Sequence, residues 1–348
     1  MNEYNPRRKR LTREQIAAIK RARRRKRMIT LAFSALLAVV IITVVVLALS
    51  ALADRQGGTG LFQSKQTEAP VSITTAPPEE MPTTAYVEVP RSDIYEGELL
   101  LINKSHKVER IAQPTELQTL TANDVYGVDR EGMMLQAQAS AALHDWLAGY
   151  RASGGTAQLV IREAYRTEAE QQEIYDYYVR IGGKKYADEY VSPVGYSEHH
   201  TGLSLDLNYL AADGRTYAVK PTGDCAWLTE NAASYGFILR YPEDKTAVTG
   251  ASYESWHFRY VGIPHALKMK ELNYCLEEYI EYVTLFSYNG EHLTVQGENG
   301  CIWEIYYCQA TEDETQQIPI PYGEEDYRID GDNMQGYIVT VKVADGNE

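Results

Sequence analysis

The sequence predicts an α+β protein: a domain of antiparallel strands and capped helices at 93–284, behind an N-terminal transmembrane helix at 28–53 and ahead of a small β-rich subdomain at 285–348. Three observations predict it. Runs of alternating polarity, foremost Leu203 to Asn208, sit among segments with helical apolar spacing that are bounded by Thr, Pro and Gly. Met28 to Ala53 is an uncharged run longer than the ~20 apolar residues needed to cross a bilayer core. From Ser287 onward, short strand-like runs alternate with Asn-Gly and Asp-Gly turns.

Charge is divided sharply along the chain. Residues 1–27 carry twelve Lys or Arg against Glu3 and Glu14, a balance of +10, which leaves −24 on the rest of a chain whose formal total is −14. So acidic a main body disfavours nucleic-acid binding. The basic tail reads as a topology signal that stays cytoplasmic, placing everything after Asp54 outside the membrane. A cleaved signal peptide would have a shorter apolar core of about 7 to 15 residues, so an uncleaved anchor is expected, although Ala51-Leu52-Ala53 leaves a cleavage site open. Residues 54–92 hold Pro70, Pro77, Pro78, Pro82 and Pro90 among Thr, Glu and Gln, the composition of a disordered linker.

The four cysteines, Cys225, Cys275, Cys301 and Cys308, fall on the exported side, where disulfides are permitted. Cys301 and Cys308 cap a strand-like run whose length of roughly 23 Å forbids a bridge between them. With no CxxC pair, the four are no zinc-finger signal.

Glu98 to Ile102 reads as a short strand, and Met133 to about Tyr150 as a core-facing helix ended by Gly154-Gly155. Gln158 to Arg166 is a strand that runs into Thr167-x-x-Glu170, a capping box opening a helix to about Arg180. Arg166 thus stands at a strand-to-helix junction, aimed into a cleft or else into a surface salt bridge. Asp224 to Tyr235 is expected to be helical, Phe237 to Tyr241 a strand, and Pro264 to about Val283 one long helix.

Two dense patches carry the chemistry. In Ser197-Glu198-His199-His200-Thr201-Gly202-Leu203-Ser204-Leu205-Asp206, an imidazole and a carboxylate lie seven positions apart. Alternation turns Asp206 away from Leu203, Leu205 and Leu207. A carboxylate inside an apolar strand needs a partner, and a cation shared with a histidine supplies one, as does a buried ion pair. In the second patch, Trp256, Phe258 and Tyr260 alternate with His257 and Arg259, so His257 is expected to project opposite the aromatics. His199, Asp206 and His257 make a three-ligand zinc set with a fourth position for water, and Glu254 is placed to deprotonate that water. His200 competes with His199, and residue parity does not choose between them.

The first patch resembles the S-x-H-x-x-G-x-A-x-D signature of the VanY-type zinc D-alanyl-D-alanine carboxypeptidases, LAS-type peptidoglycan metallopeptidases, with Ser204 in place of Ala. Glu254 to Gly262 resembles that family's E-x-W-H-x-R-Y-V-G stretch, and Tyr165-Arg166-Thr167 with Gln171 its Y-R-S-x-x-x-Q segment. The likeness runs over roughly 97–275. It implies the fold shared by Hedgehog-like and D-Ala-D-Ala peptidases, one zinc ion on His199, Asp206 and His257, Glu254 as general base, Arg166 near the scissile carbonyl, and Ser197 and Gln171 lining the substrate pocket. The implied reaction is removal of the terminal D-alanine from a peptidoglycan stem peptide or its lipid-linked precursor. Cleavage of an L,D-bond in tetrapeptide stems and non-catalytic peptidoglycan binding are the alternatives. A serine-type enzyme would need Ser-x-x-Lys, which is absent, and Lys245-Thr246-Ala247 only echoes Lys-Thr-Gly.

Overall fold

A computed structural model describes residues 84–112, 116–298 and 300–345, all inside one compact unit spanning 79–348. The expected basic tail, membrane span and most of the linker lie outside those residues. Among the described residues, no helix is long and apolar enough to cross a membrane, and no disulfide joins the cysteines.

The strands and helices follow in chain order. β1 (Thr84–Pro90), β2 (Leu117–Thr119), β3 (Gly127–Val128) and β4 (Met134–Gln136) precede α1 (Ala137–Ala152) and β5 (Gln158–Glu163). Two helices, α2 (Glu168–Gly182) and α3 (Lys184–Tyr190), lead to β6 (Ser204–Leu210), β7 (Thr216–Ala218), α4 (Ala226–Asn231) and β8 (Phe237–Tyr241). The short α5 (Thr246–Thr249) comes before β9 (Glu254–Tyr260), α6 (Ile263–Leu272) and α7 (Leu276–Val283). β10 (Leu293–Gln296), β11 (Ile302–Gln309), β12 (Thr315–Pro321), β13 (Tyr327–Gly331) and β14 (Gly336–Ala344) complete the chain.

The fold is mixed α+β. Its main sheet has the order β3-β5-β6-β9-β8, with β7 added to β6. The pairs β5–β6, β6–β9 and β8–β9 are antiparallel, and only the two-residue β3 runs parallel to its neighbour. Alternation along β6 works as its sequence requires: Leu203, Leu205 and Leu207 are fully buried in one cluster with Leu159, Ile161, Phe237 and Phe258. α1 covers this face with Leu143, Trp146, Leu147 and Tyr150. Trp146 fills the centre, its ring centroid 5.1 Å from Phe237 and 4.8 Å from Phe258. Full burial of each such side chain stabilises by about 1.5–3 kcal/mol, so this face is pinned and the opposite one is left for chemistry.

Several elements differ from the sequence reading. Glu98 to Ile102 forms no strand, although Leu99 to Ile102 are buried. Its carbonyls are taken by side chains instead: Arg259 Nη2 donates to Glu98 O and Leu100 O, Asn333 Nδ2 to Leu101 O, and Arg240 Nη2 to Ile102 O. The end of the expected linker is ordered, because β1 pairs antiparallel with β12. Pro319 and Pro321 are tolerated there since a two-stranded ribbon leaves one edge of β12 without a ladder to donate to. The helix expected from Met133 starts at Ala137, because Met134–Gln136 pairs with β2. The helix expected over Asp224 to Tyr235 is a 3-10 turn, α4 and a second 3-10 turn. The long helix after Pro264 is broken by Asn273 in the left-handed conformation (φ 52°), giving α6 and α7.

The C-terminal strands form a four-stranded antiparallel sheet, β10-β11-β14-β13. One face of it shares a cluster with α6 and α7, where Ile305, Ile338, Leu293 and Val295 pack with Ala266, Met269, Tyr279, Ile280, Leu99 and Leu101, and the other face packs Tyr306, Tyr337, Val339 and Val341 against Ile318 and Ile320 of β12.

Candidate active site

Register makes the site. β6 and β9 pair so that Leu205 lies opposite Phe258 and Asp206 opposite His257. Leu205 and Phe258 both enter the core, so the next pair along must project from the other face. His199 comes from the 3-10 turn Glu198–Thr201 just before β6. Its backbone N–H donates to Ser197 Oγ (3.4 Å), and Gly202, at φ +67°, turns the chain into the strand.

His199 Nε2 lies 3.6 Å from Asp206 Oδ1, and His257 Nδ1 lies 2.9 Å from the same oxygen. One ligand atom from each of the three residues falls within 4.8 Å of the others. The remaining ring nitrogens are engaged behind them. His199 Nδ1 is 2.7 Å from Ala164 O, which only accepts, so Nδ1 carries the hydrogen. His257 Nε2 is 3.3 Å from Glu198 Oε2 and likewise donates. The lone pairs of His199 Nε2 and His257 Nδ1 then face one carboxylate, a repulsive grouping unless a cation sits among them. Two imidazoles and a carboxylate with ordered outer partners are a zinc-type donor set. With no metal, a proton does the same work: burial opposes the charge on His257, but the bonds to Asp206 and Glu198 outweigh it and raise its pKa to about 9. Burial likewise opposes ionisation of Asp206, yet His199 and His257 hold its carboxyl well below the usual range. Burial, helped by the Arg166 cation, keeps His199 neutral, the form that ligates.

These groups open into a cleft of about 210 Å³. Glu254, the first residue of β9, lines it, and burial pushes its carboxyl up to about 7 against the pull of His257. β9 bulges here: Leu239 pairs with Phe258 but Tyr241 with Glu254, so three residues of β9 lie opposite the single Arg240 of β8. The bulge corrects the simple alternation expected for this strand. Phe258 enters the core, but Trp256 lines the cleft together with Glu254 and His257. Tyr241 stacks on His257 at 5.0 Å between centroids.

Arg166 is buried at the β5–α2 junction. Its Nη1 donates to Gln171 Oε1 (2.8 Å) and its Nη2 lies 3.4 Å from Glu163 Oε2, while its buried Nε has no hydrogen-bond partner among the described residues. Gln171 also donates to Ser192 O (2.6 Å), so it ties Arg166 to the loop on the far side of the cleft. Ser197 and Gln171 both line that cleft. His200 does not: its Nδ1 donates to Arg166 O (2.8 Å) and its Nε2 accepts from Gly195 N (3.2 Å), a fully buried brace.

Sequence reasoning missed Glu198. Its Oε1 accepts from Arg240 Nε and Arg259 Nη1, both at 2.8 Å, while its Oε2 faces His257, and all three side chains other than His257 are fully enclosed. Despite burial, the two guanidinium groups hold Glu198 ionised, far below the usual carboxylate range. Arg240 reaches on to Glu277 (2.7 Å). The available signal was Arg240 and Arg259 inside apolar strands, since buried arginines demand a carboxylate.

Residues 132–263 match the family model described as VanY, D-alanyl-D-alanine carboxypeptidase. A D-alanyl-D-alanine carboxypeptidase of Enterococcus faecium is 34% identical over 258 residues, covering 73% of this chain and 78% of that one. The chain belongs to the D-alanyl-D-alanine carboxypeptidase family. Within it, the bifunctional D-Ala-D-Ala dipeptidase and carboxypeptidase VanXYC of Enterococcus gallinarum is 35% identical over 190 residues, 53% of this chain and 94% of that one. A solved relative is the vancomycin-resistance D,D-dipeptidase VanXYg in complex with a D-Ala-D-Ala phosphinate analogue: TM-score 0.64, 30% identity, 74% of this chain and 99% of that one. In this family member His199, Asp206, His257, Glu254, Arg166, Ser197 and Gln171 therefore line one cleft on a peptidase fold, with Glu198 against His257.

Proposed function

We propose that the chain is a zinc-dependent D,D-carboxypeptidase that removes the terminal D-alanine from peptidoglycan stem peptides. One observation carries this: the donor atoms of His199, Asp206 and His257 converge within 4.8 Å in the same cleft as Glu254 and Arg166. A zinc ion on those donors supplies an acidified water and polarisation of the scissile carbonyl. Glu254, lining the same cleft, takes the proton of the attacking water as oxygen bonds to the carbonyl carbon. The same carboxyl delivers that proton to nitrogen as the C–N bond breaks, releasing D-alanine. Arg166, lining the same cleft, sets its guanidinium charge beside the oxygen on which charge develops. Glu198 holds the His257 ring through Nε2, and Ala164 O does the same for His199. The D,D choice is supported by the Enterococcus faecium relative and by the ligand of VanXYg.

The same reading anchors the domain to the outer face of the cell membrane through residues 28–53, supported by their uncharged run and the +10 flank before it. Protease added to intact cells should then remove the domain, and protection from it overturns the assignment. For the activity, the full chain is incubated with pentapeptide and tetrapeptide stems with and without chelator. D-alanine release from the pentapeptide alone, lost with chelator and restored by zinc, is the expected result. Chelator-resistant release, or release by Glu254→Ala, overturns the proposal.

A further inference from the structure

The surface feature that the reaction leaves unexplained is the helical pair α2–α3. α2 is fifteen residues long and buries only Gln171. Tyr177, Ile181, Tyr186 and Tyr190 are 50%, 55%, 38% and 52% exposed. Their rings are not scattered. Tyr177 lies 5.7 Å from Tyr178, Tyr178 stacks on Tyr186 at 5.8 Å with planes 18° apart, and Tyr186 lies 4.8 Å from Tyr190. A contiguous exposed aromatic strip marks a docking surface. Polar contacts tie its two helices together: Lys184 Nζ pairs with Asp188 (2.8 Å), Tyr175 Oη donates to Asp188 Oδ1 (2.5 Å), and Lys104 Nζ donates to Asp188 O (3.1 Å). Tyr178 and Tyr190 line the reaction cleft, so the strip is continuous with it.

We propose that this tyrosine strip is a saccharide subsite, which holds the amino-sugar backbone from which the stem peptide hangs. The inference rests on the proposed function and names a further part of the substrate. A pyranose offers flat C–H faces and hydroxyl edges, which match tyrosine rings and their phenol groups. Arg180, whose guanidinium carbon lies 6.0 Å from the Tyr177 ring centroid, supplies a donor for sugar oxygens at the outer end.

The test compares kcat/KM of the full chain on a free pentapeptide and on the same peptide carrying its N-acetylglucosamine–N-acetylmuramic acid disaccharide. The parent is expected to favour the disaccharide form, and Tyr177→Ala/Tyr186→Ala to erase about five- to tenfold of that preference while free-peptide turnover stays within about twofold. Tyr186→Leu, which keeps the bulk but not the ring, should erase part of it. Equal rates on both substrates in the parent, or an equal fall on both in the variants, overturns the subsite. If the parent cuts neither substrate, the catalytic reading fails by itself, and calorimetry with the peptide-free disaccharide decides the subsite: binding lost in the double variant supports it and no binding refutes it. A concentration-dependent dimer abolished by the same substitutions assigns the strip to a second copy and also refutes it.

Discussion

Glu254→Gln should make the metal-free protein more stable at pH 8, although it removes the proposed base. In the folded chain burial raises this carboxyl from an ordinary 4.5 to about 7. Below pH 4.5 it is neutral whether the chain is folded or unfolded, and nothing is lost. Between 4.5 and 7 the folded state holds a proton that the unfolded state has released, so stability falls as pH rises, levelling off above the folded value. The gap of about 2.5 pH units corresponds to roughly 3 kcal/mol at ~1.36 kcal/mol per unit, an upper figure that water entry into the open cleft reduces to about 2 kcal/mol. Glutamine keeps the shape and never ionises. Urea unfolding of both proteins in chelator at pH 4.5 and pH 8 reads the effect. The parent should lose about 2 kcal/mol more than Glu254→Gln across that interval. Parallel pH curves for the two proteins would refute the claim that burial of Glu254 stores this energy.

Glu198→Gln leaves Arg240 and Arg259 without their shared buried carboxylate and should cost about 3–5 kcal/mol in urea unfolding. Because it also slackens His257, zinc affinity measured by chelator competition should fall about 10- to 100-fold. Glu254→Ala should bind zinc as the parent does yet release no D-alanine, whereas His257→Ala should lose both, read by metal analysis and product assay. Gly202→Ala forces a side chain to φ +67° and sets its Cβ 2.5 Å from Leu117 Cδ2. It should cost about 1–3 kcal/mol and lower turnover more than Ala at exposed Gly214, where no atom lies within 4 Å.

Among the solvent-face positions of β6 and β9, local rules carried the reading far. Two-residue alternation placed Asp206 opposite the leucines, the Thr167–Glu170 capping box opened α2 as written, and the punctuated tail became strands. Those signals are legible because each depends on neighbours within a turn or a pleat. They fail where a long-range partner replaces the local one. Leu99 to Ile102 has a strand's composition, but side chains more than 130 positions away take its carbonyls. Trp256 breaks the alternation because the bulge opposite Tyr241 is set by pairing with β8.

By itself, then, the sequence determined which residue types could bind a cation and which face of β6 would present them, since side-chain period and hydrophobic burial are local properties of the chain. Local pattern did not choose between His199 and His200; the family resemblance named His199, and the tertiary structure gives the physical reason by handing His200 the Arg166 carbonyl and the Gly195 amide as partners. It alone revealed Glu198 between two arginines, because an ion cluster drawn from one turn and two strands has no spacing in sequence. The physical reason is the same in both cases: a buried polar group must be satisfied, and what satisfies it is chosen by the packing of distant segments.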